Sequence, residues 1–533
     1  MGNRLTWIDK APGIYDNTIN IFHFSLLSPL SSTMCDLCNG ISRRAFLGTS
    51  TALSAGLLLG ETASSIVAAP ALAGEWEQRP PVKVYVVYLG TAGAWPKPEF
   101  DAPGEIQQVF EPCLKKIAQK FGDVEFLGGD LIVNTVGEAN NLLPRIMEQK
   151  SDAILVIHLA FGNAAPFSAF ASTGLPVAIY SQPFSGHDWM YVPAIQRSGA
   201  KLIMAPAQDL SEVERLVAIL RVPPRMRDAK MIMVGNPGCA AGTAAACDYD
   251  KVKEKFGTQV IPITPQEFIE VHQSIPEDEA VAEAEEYWIK QAEEIREPSR
   301  EEIIKSCKTY CAMKKLMQTH QARALTMKCL GGIPIDVLGY PCLGFSRILD
   351  DGAIGACEAD MDSTLTMMML LYATGLPGFI TDPLMELSKN AVVHAHCVSP
   401  TKMDGPQAAR LPFHIRTHRD DNLGASLKVF MNRDIGREVT WSKLANNDTL
   451  LVSTGIIREV FEFDDRGCRT QVLTEVTSSS ARELFEKWGG NVLGTDMMTL
   501  LHRVLFYGNH LNNFRDIAQL MGLKFMIEGK DWA

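Results

Sequence analysis

Residues 355–363, GACEADMDS, open the stretch that decides how this chain folds. A long apolar run follows and ends at TDP, residues 381–383, and His396 comes shortly after it. Glu358 and Asp382 flank the run, so an intervening helix and turn would bring both carboxylates to one end of a sheet. Carboxylates gathered in this way predict a site for a hard divalent cation.

The composition is that of an ordinary globular protein. The chain has 533 residues, of which 46% are hydrophobic and 21% are charged, which argues against the collagen-like, disordered and multi-span membrane classes. At this length we expect roughly two to four domains. The net charge of −12, without a basic tract, argues against nucleic acid as a partner. The 12 cysteines show no repeated spacing, which favours buried thiols over a disulfide framework.

The N-terminal region, residues 1–73, has the pattern of an export leader. SRRAFL at 42–47 precedes a weakly apolar segment at 51–60, and the region ends in Ala-Leu-Ala, a small-x-small cleavage pattern. This resembles a twin-arginine signal, which implies export of the folded protein by that machinery to the periplasm or the medium. A short core helix is the alternative, and the run is too short and too rich in glycine to span a membrane. Met34 is an alternative start.

Two stretches of alternating strand and helix patterns follow. Buried strands are predicted at 82–89 and 153–158, with helix-length spacers between strands, and the pattern restarts at 229–234. Strands that alternate with helices in this way are typical of parallel sheets. We therefore predict two doubly wound α/β domains, at 74–225 and 226–372.

The remainder, residues 373–533, has a different sequence pattern. Short strands are predicted at 438–441, 449–453 and 455–460, joined by tight turns rich in asparagine. Strands in which apolar and polar residues alternate, joined by such turns, predict an antiparallel barrel or sandwich. Helical patterns return from residue 480 onwards. The predicted fold class is therefore α/β, with two flavodoxin-like domains followed by a β-rich, barrel-like C-terminal domain.

This architecture and several short motifs resemble the L-fucose/L-arabinose isomerase superfamily, nearest its fucose isomerase branch. The motifs are ACEAD at 356–360, TDP at 381–383, AHCVSP at 395–400, GREVT at 436–440 and GNH at 508–510. The resemblance covers nearly all of the chain after the leader, and its specific motifs concentrate between residues 341 and 400. It implies an enzyme that interconverts an aldose and a ketose, working as a homo-oligomer, a trimer or hexamer.

The resemblance also implies roles for individual residues. Glu358 and Asp382 take the places of a glutamate and an aspartate that bind a Mn²⁺-type cation, with Mg²⁺ as the alternative, and act as the acid/base pair. His510 most resembles a late histidine that completes the metal shell, and His396 is either a further ligand or a substrate contact. These residue types suit the chemistry, because one carboxylate can move a carbon-bound proton while another moves a hydroxyl proton. A bound cation would stabilise the charge of the cis-enediolate.

Other residues have weaker claims to a function. Asp360 and Asp362 are more typical of helix N-terminal charges, which favour the helix dipole, than of metal ligands. His187 and Trp189, within FSGHDW at 184–189, could line a sugar pocket, because an aromatic face suits a carbohydrate.

Two alternatives to an active isomerase stay open at this point. Paired α/β domains also describe periplasmic sugar-binding or sensory proteins, which would have a closing cleft and no metal. The chain could also be a family member that keeps the fold without catalysis. The β-rich third domain and the pair Glu358 and Asp382 favour the isomerase, and the sequence leaves the sugar open.

Overall fold

The chain is described by a computed structural model. It covers Trp76 and residues 79–91, 100–235, 248–418, 422–462, 466–487 and 501–531. The predicted export leader, residues 1–73, lies outside the described residues. Among the helices that the structure describes, none is both long and apolar enough to cross a membrane.

The first sheet is parallel, and within the described part of the chain its strand order is β2-β1-β3-β4-β5. Its strands are β1 (Val82–Leu89), β2 (Val124–Val133), β3 (Ala153–His158), β4 (Val177–Ser181) and β5 (Leu202–Pro206). Alternate residues of β1 belong to two separate apolar cores, Val84 and Val86 to one and Tyr85 and Val87 to the other. Both faces of this sheet are therefore covered, as its continuous apolar strands predicted.

Helices connect and flank the strands of this first sheet. They are α1 (Ala102–Glu105), α2 (Glu111–Phe121), α3 (Val136–Glu148), α4 (Ala165–Ala171), α5 (Val192–Arg197), α6 (Ser211–Leu220) and α7 (Val222–Arg227). The strand order is the one found in flavodoxin-like sheets, in which ligands bind at the carboxyl ends of the strands. The predicted parallel α/β organisation is confirmed.

The second sheet is also parallel, with the order β10-β9-β6-β7 in the described residues. Its strands are β6 (Lys230–Val234), β7 (Gln259–Ile263), β9 (Ala324–Met327) and β10 (Ile354–Ala356). Its helices are α8 (Tyr249–Phe256), α9 (Pro265–Gln273), α10 (Glu277–Glu283), α11 (Arg300–His320), α12 (Ile335–Leu338) and α13 (Cys342–Asp350). The domain boundaries at residues 225 and 372 stay predictions.

The C-terminal region forms a closed antiparallel barrel. Its strands are β11 (Gly378–Glu386), β12 (Ala391–His396), β15 (Glu438–Ala445), β16 (Thr449–Val460), β17 (Thr470–Val476) and β18 (Arg503–Tyr507). The order β15-β18-β11-β12-β17-β16 returns to its start because β15 also pairs with β16. Of the two predicted forms, barrel and sandwich, the structure has the barrel, whose closure leaves no unpaired edge among these strands.

Smaller elements complete this region. β19 (Lys524–Ile527) pairs with β16 in parallel, while β8 (Glu294–Ile295), β13 (Phe413–Arg416) and β14 (Ser426–Val429) form a separate small sheet. The last helices are α15 (Ala481–Lys487) and α16 (Leu511–Met521).

Helix α14 (Met361–Thr374) lies between the second sheet and the barrel. Every residue of this helix is buried, which fits a helix that is apolar on all sides. It contacts β9 and β10 of the second sheet and β11, β15 and β18 of the barrel. The Asp360 side chain caps its N-terminus by accepting a hydrogen bond from Ser363 N at 2.9 Å, and Gly375 ends it with a φ of 72°. The helix thus joins the end of the second sheet to the first strand of the barrel.

Candidate metal site between the second sheet and the barrel

Glu358 lies just past β10, at the carboxyl end of the second sheet. Its φ is 61° and that of Ala359 is 53°, in the left-handed region that residues with a side chain seldom adopt. Ala359 N donates to Met327 O of the neighbouring strand β9 at 2.8 Å, which ties the turn to the sheet. Such a conformation costs on the order of 1–3 kcal/mol, persists only where the surroundings fix it, and is enriched at functional sites.

Asp382 and His396 come from two paired strands of the barrel. Asp382 on β11 lies opposite Ala395 on β12, and His396 is the last residue of β12. His396 Nε2 lies 3.6 Å from Glu358 Oε1. Strand pairing in the barrel thus brings both side chains to the turn that carries Glu358.

A second imidazole, that of His502, joins these two acids. His502 immediately precedes β18, which pairs with the Asp382 strand β11. Its Nε2 lies 3.5 Å from Glu358 Oε2 and 3.4 Å from Asp382 Oδ1. The two carboxylate oxygens can therefore be no farther apart than the sum of these two distances.

The sequence did not single out His502. The signal that could have found it is a histidine at the end of a buried strand: His502 lies directly before β18, and His396 is the last residue of β12. That signal is weak without the register of the strands, because only the pairing of β11 with both β12 and β18 places the two histidines beside Asp382.

The residues present fit a divalent cation. One ligand atom each from Glu358, His396 and His502 lies within 4.8 Å of the others, which is the spacing of atoms that share an ion at about 2.0–2.6 Å. His502 Nε2 is also buried and makes no hydrogen bond to any described residue. Two imidazoles and a carboxylate, with Asp382 beside them, suit metals such as Mn²⁺, Fe²⁺ or Zn²⁺. The sequence predicted Glu358 and Asp382 with His510, and His396 as a ligand or a substrate contact, whereas the cluster contains His502 in place of His510.

The electrostatics keep both acids ionised. Burial acts to raise the pKa of Glu358, but His396 and His502 outweigh it and hold that pKa well below its usual range. For Asp382, burial is again opposed by His502 and His396, and the pKa is lowered. Burial acts to lower the pKa of His502, but Asp360, Asp382 and Glu358 together raise it well above its usual value. The side chains of Glu358 and Asp382 remain 24% and 31% exposed, so a small substrate could reach them.

His510, the predicted late ligand, lies outside this cluster. Its Nε2 bonds Tyr507 O at 2.7 Å, and its Nδ1 lies 3.2 Å from Asn513 Nδ2. Both ring nitrogens are thus engaged by neighbours in the same segment, and burial lowers the pKa of the imidazole to about 4. The late histidine that the structure brings beside Glu358 and Asp382 is His502, and the ligand role of His510 stays a prediction.

The predicted sugar contacts, His187 and Trp189, lie at the carboxyl end of the first sheet. The ring of His187 packs edge to face against Phe161 at a centroid distance of 6.3 Å. Trp189 is 50% exposed and lines a cleft of about 610 Å³, whose walls include Arg215 of α6 and Asp516 of α16. Their role as sugar contacts stays a prediction.

No family model matches the sequence. A solute-binding protein of an ABC transporter from Bacillus halodurans C-125, solved with bound myo-inositol, is 11% identical over 56% of this chain and 92% of that chain, with a TM-score of 0.17. A likeness this slight carries no argument.

Curated sequences are more similar. The chain is 25% identical over 242 residues to the sulfoquinovose isomerase of Priestia aryabhattai, covering 44% of this chain and 50% of that protein. It is 26% identical over 239 residues to the sulfoquinovose isomerase of Clostridium sp. (strain MSTE9), covering 44% and 49%. The chain thus matches about half the length of these relatives, and what it resembles over that half is a sugar isomerase.

Proposed function

We propose that this protein is a metal-dependent sugar isomerase that interconverts an aldose and a ketose. The observation that carries the proposal is the convergence of two carboxylates, Glu358 and Asp382, on His502 beside His396, at the carboxyl end of a parallel sheet. The similarity to sulfoquinovose isomerases supports the same reaction class.

The reaction moves one proton between neighbouring carbons and another between their oxygens. Glu358 and Asp382 are both held ionised, so either can accept the proton from the carbon next to the carbonyl. The same carboxyl group can return that proton to the adjacent carbon. The second carboxylate can take the hydroxyl proton from one substrate oxygen and give it to the other.

Glu358, His396 and His502 would hold the metal, with Asp382 beside them. When bound, a divalent cation supplies Lewis-acid stabilisation for negative charge on the substrate oxygens. We propose Mn²⁺ as the metal because it suits carboxylate ligands, and Glu358 and Asp382 both lie at the site. The imidazoles position Glu358 by approaching both of its oxygens, at 3.6 Å from His396 and 3.5 Å from His502.

The proposal extends to several features that the sequence predicted. The substrate is a free sugar, with sulfoquinovose, fucose and arabinose as the first compounds to test. The protein works as a homo-oligomer, a trimer or hexamer, with domains at 74–225, 226–372 and 373–533, and it is exported in folded form through its leader at 1–73.

The test is an isomerase assay on metal-stripped protein to which Mn²⁺ is returned. Each sugar is incubated in D₂O, and NMR follows both ketose formation and the entry of deuterium at the carbon next to the carbonyl. Glu358→Gln and Asp382→Asn should each lower turnover by about 10²–10⁴-fold, the usual contribution of a general acid or base. Glu386→Gln is the matched control, because Glu386 lies on the same strand as Asp382 and, among the described residues, its carboxylate accepts hydrogen bonds only from neighbouring Ser388.

The result expected is turnover that needs metal and both acids. If a sugar binds tightly with or without metal and no ketose forms, the protein is a sugar-binding protein and the isomerase proposal is wrong.

A further inference from the structure

Asp360 lies behind His502, on the side away from Glu358. Its Oδ2 accepts a hydrogen bond from His502 Nδ1 at 2.8 Å and one from Lys443 Nζ at 2.8 Å. Asp360 and Lys443 are fully buried, and His502 is nearly so. The three residues come from different parts of the fold: the end of the second sheet, barrel strand β15, and the start of β18.

This contact fixes how His502 presents its ring. An imidazole that donates from Nδ1 to a carboxylate can turn neither about its axis nor to the other tautomer, so Nε2 is the atom left for a ligand. That atom is the one that lies beside Glu358 and Asp382.

We propose that Asp360, anchored by Lys443, is a positioning residue that orients His502 for metal binding. The inference rests on the proposed metal site and deepens it. Asp360 touches neither the substrate nor the reacting atoms in this proposal, since it acts through the imidazole.

A purely structural role would explain less of what is seen. The Oδ1 atom of Asp360 caps helix α14 by accepting from Ser363 N at 2.9 Å, and a cap requires nothing more. The other oxygen, Oδ2, accepts hydrogen bonds from Lys443 Nζ and the Ser363 hydroxyl and lies 2.8 Å from His502 Nδ1, and the contacts to Lys443 and His502 are not part of a cap. Burying an ammonium and a carboxylate together costs free energy that an apolar pair would not cost, so the pair is not explained by stability alone.

The experiment measures Mn²⁺ binding to the metal-free protein by isothermal titration calorimetry, without any sugar. Asp360→Asn keeps an oxygen for the α14 cap and removes the charged oxygen that faces His502 and Lys443. We expect its Mn²⁺ affinity to fall by about 10–100-fold, the usual effect of losing a partner behind a metal-binding histidine. Because Asp360→Asn leaves Lys443 buried without its carboxylate, the double variant Asp360→Asn with Lys443→Met is measured as well, since it removes both charges and is easier to fold.

Asp362→Asn is the matched control. It removes an equally buried carboxylate from the same turn of α14, but Asp362 accepts no hydrogen bond from any described residue. Its Mn²⁺ affinity should stay within about 2-fold of the wild type, because metal affinity here depends on the directed bond to His502.

A second arm tests whether Asp360 acts through His502. In a His502→Gln background, adding Asp360→Asn should change Mn²⁺ affinity by no more than about 2-fold, because two residues that act as one unit are not additive. A merely structural role would weaken binding by the same factor in both backgrounds.

The outcomes separate this inference from the proposed function. Absence of Mn²⁺ binding by the wild type overturns the metal site and this inference with it. Wild-type affinity in both Asp360 variants, an equal loss in Asp362→Asn, or an undiminished effect in the His502→Gln background overturns the positioning role alone and leaves the isomerase proposal to its own assay.

Discussion

Glu358 and Asp382 meet at a single atom, with one oxygen of each within 3.5 Å of Nε2 of His502. A fully buried helix separates them in the sequence, and Glu358 follows the last strand of the second sheet whereas Asp382 lies on a barrel strand. The site therefore exists only because the barrel packs against the carboxyl end of the second parallel sheet.

The first prediction distinguishes the two late histidines. His502→Gln should weaken Mn²⁺ binding strongly without abolishing it, because its Nε2 is the buried ring atom that faces both acids while Glu358 and His396 stay in place. His510→Gln should leave Mn²⁺ affinity close to that of the wild type, since both of its ring nitrogens already have partners. Calorimetric titration of both metal-free variants checks this, and loss of binding in His510→Gln with retention in His502→Gln would reverse the assignment.

The second prediction concerns stability and pH at Asp362. Burial raises the pKa of this carboxyl to about 7, with Lys443 opposing the rise and Asp360 adding to it. Between about pH 4 and pH 7 the folded protein holds a proton that the unfolded chain releases, so this group lowers stability as the pH rises. Asp362→Asn cannot ionise, and it should gain on the order of 3–4 kcal/mol over the wild type above pH 7.

Thermal unfolding of Asp362→Asn and the wild type at pH 5 and pH 8 tests that prediction. The advantage of the variant should be large at pH 8 and small at pH 5. A difference that does not change with pH would contradict it.

The third prediction concerns a buried ion pair in the barrel. Arg503 Nη2 lies 2.6 Å from Glu528 Oε1, and both side chains are fully buried. Ser453 Oγ donates to the other oxygen of Glu528 at 2.9 Å. Glu528→Gln should destabilise the protein by about 3–5 kcal/mol, because it leaves the guanidinium buried without its counter-ion.

Asp448→Asn is the control for that variant, because it removes a half-exposed acid that pairs with Lys524 at the start of strands β16 and β19. Exposed ion pairs contribute little to the free energy of unfolding, so the thermal midpoint of Asp448→Asn should stay close to that of the wild type. Equal midpoints for Glu528→Gln and Asp448→Asn would show that the buried pair is dispensable.

The fourth prediction concerns export. If the proposed twin-arginine signal directs export, replacing both Arg43 and Arg44 by lysine should keep the full-length precursor in the cytoplasm of a bacterial host that exports the wild type, because the arginine pair is the feature that this machinery reads. Arg4→Lys is the control, since Arg4 lies in the predicted leader but outside the arginine pair. Cell fractionation with mass measurement of the mature chain checks location and cleavage together, and export of the double variant would contradict the prediction.

Much of the fold was accessible from the sequence because it depends on local pattern. Largely apolar runs such as 82–89 and 153–158 are typical of strands covered on both faces, and the structure has them as β1 and β3. Short alternating strands with tight turns indicated a barrel or sandwich. The sequence could not choose between these two forms, because closure depends on the pairing of β15 with both β18 and β16.

Within the site, the sequence by itself singled out Glu358, Asp382 and His396, because acids and a histidine beside apolar runs are conspicuous in the chain. Only the tertiary structure decided that His502 joins them and that Asp360 stands behind it. The physical reason is that these contacts depend on strand register and on how α14 packs between two sheets. Neither quantity is encoded in any short stretch, so a histidine far from the acids in sequence became their neighbour only when the barrel closed.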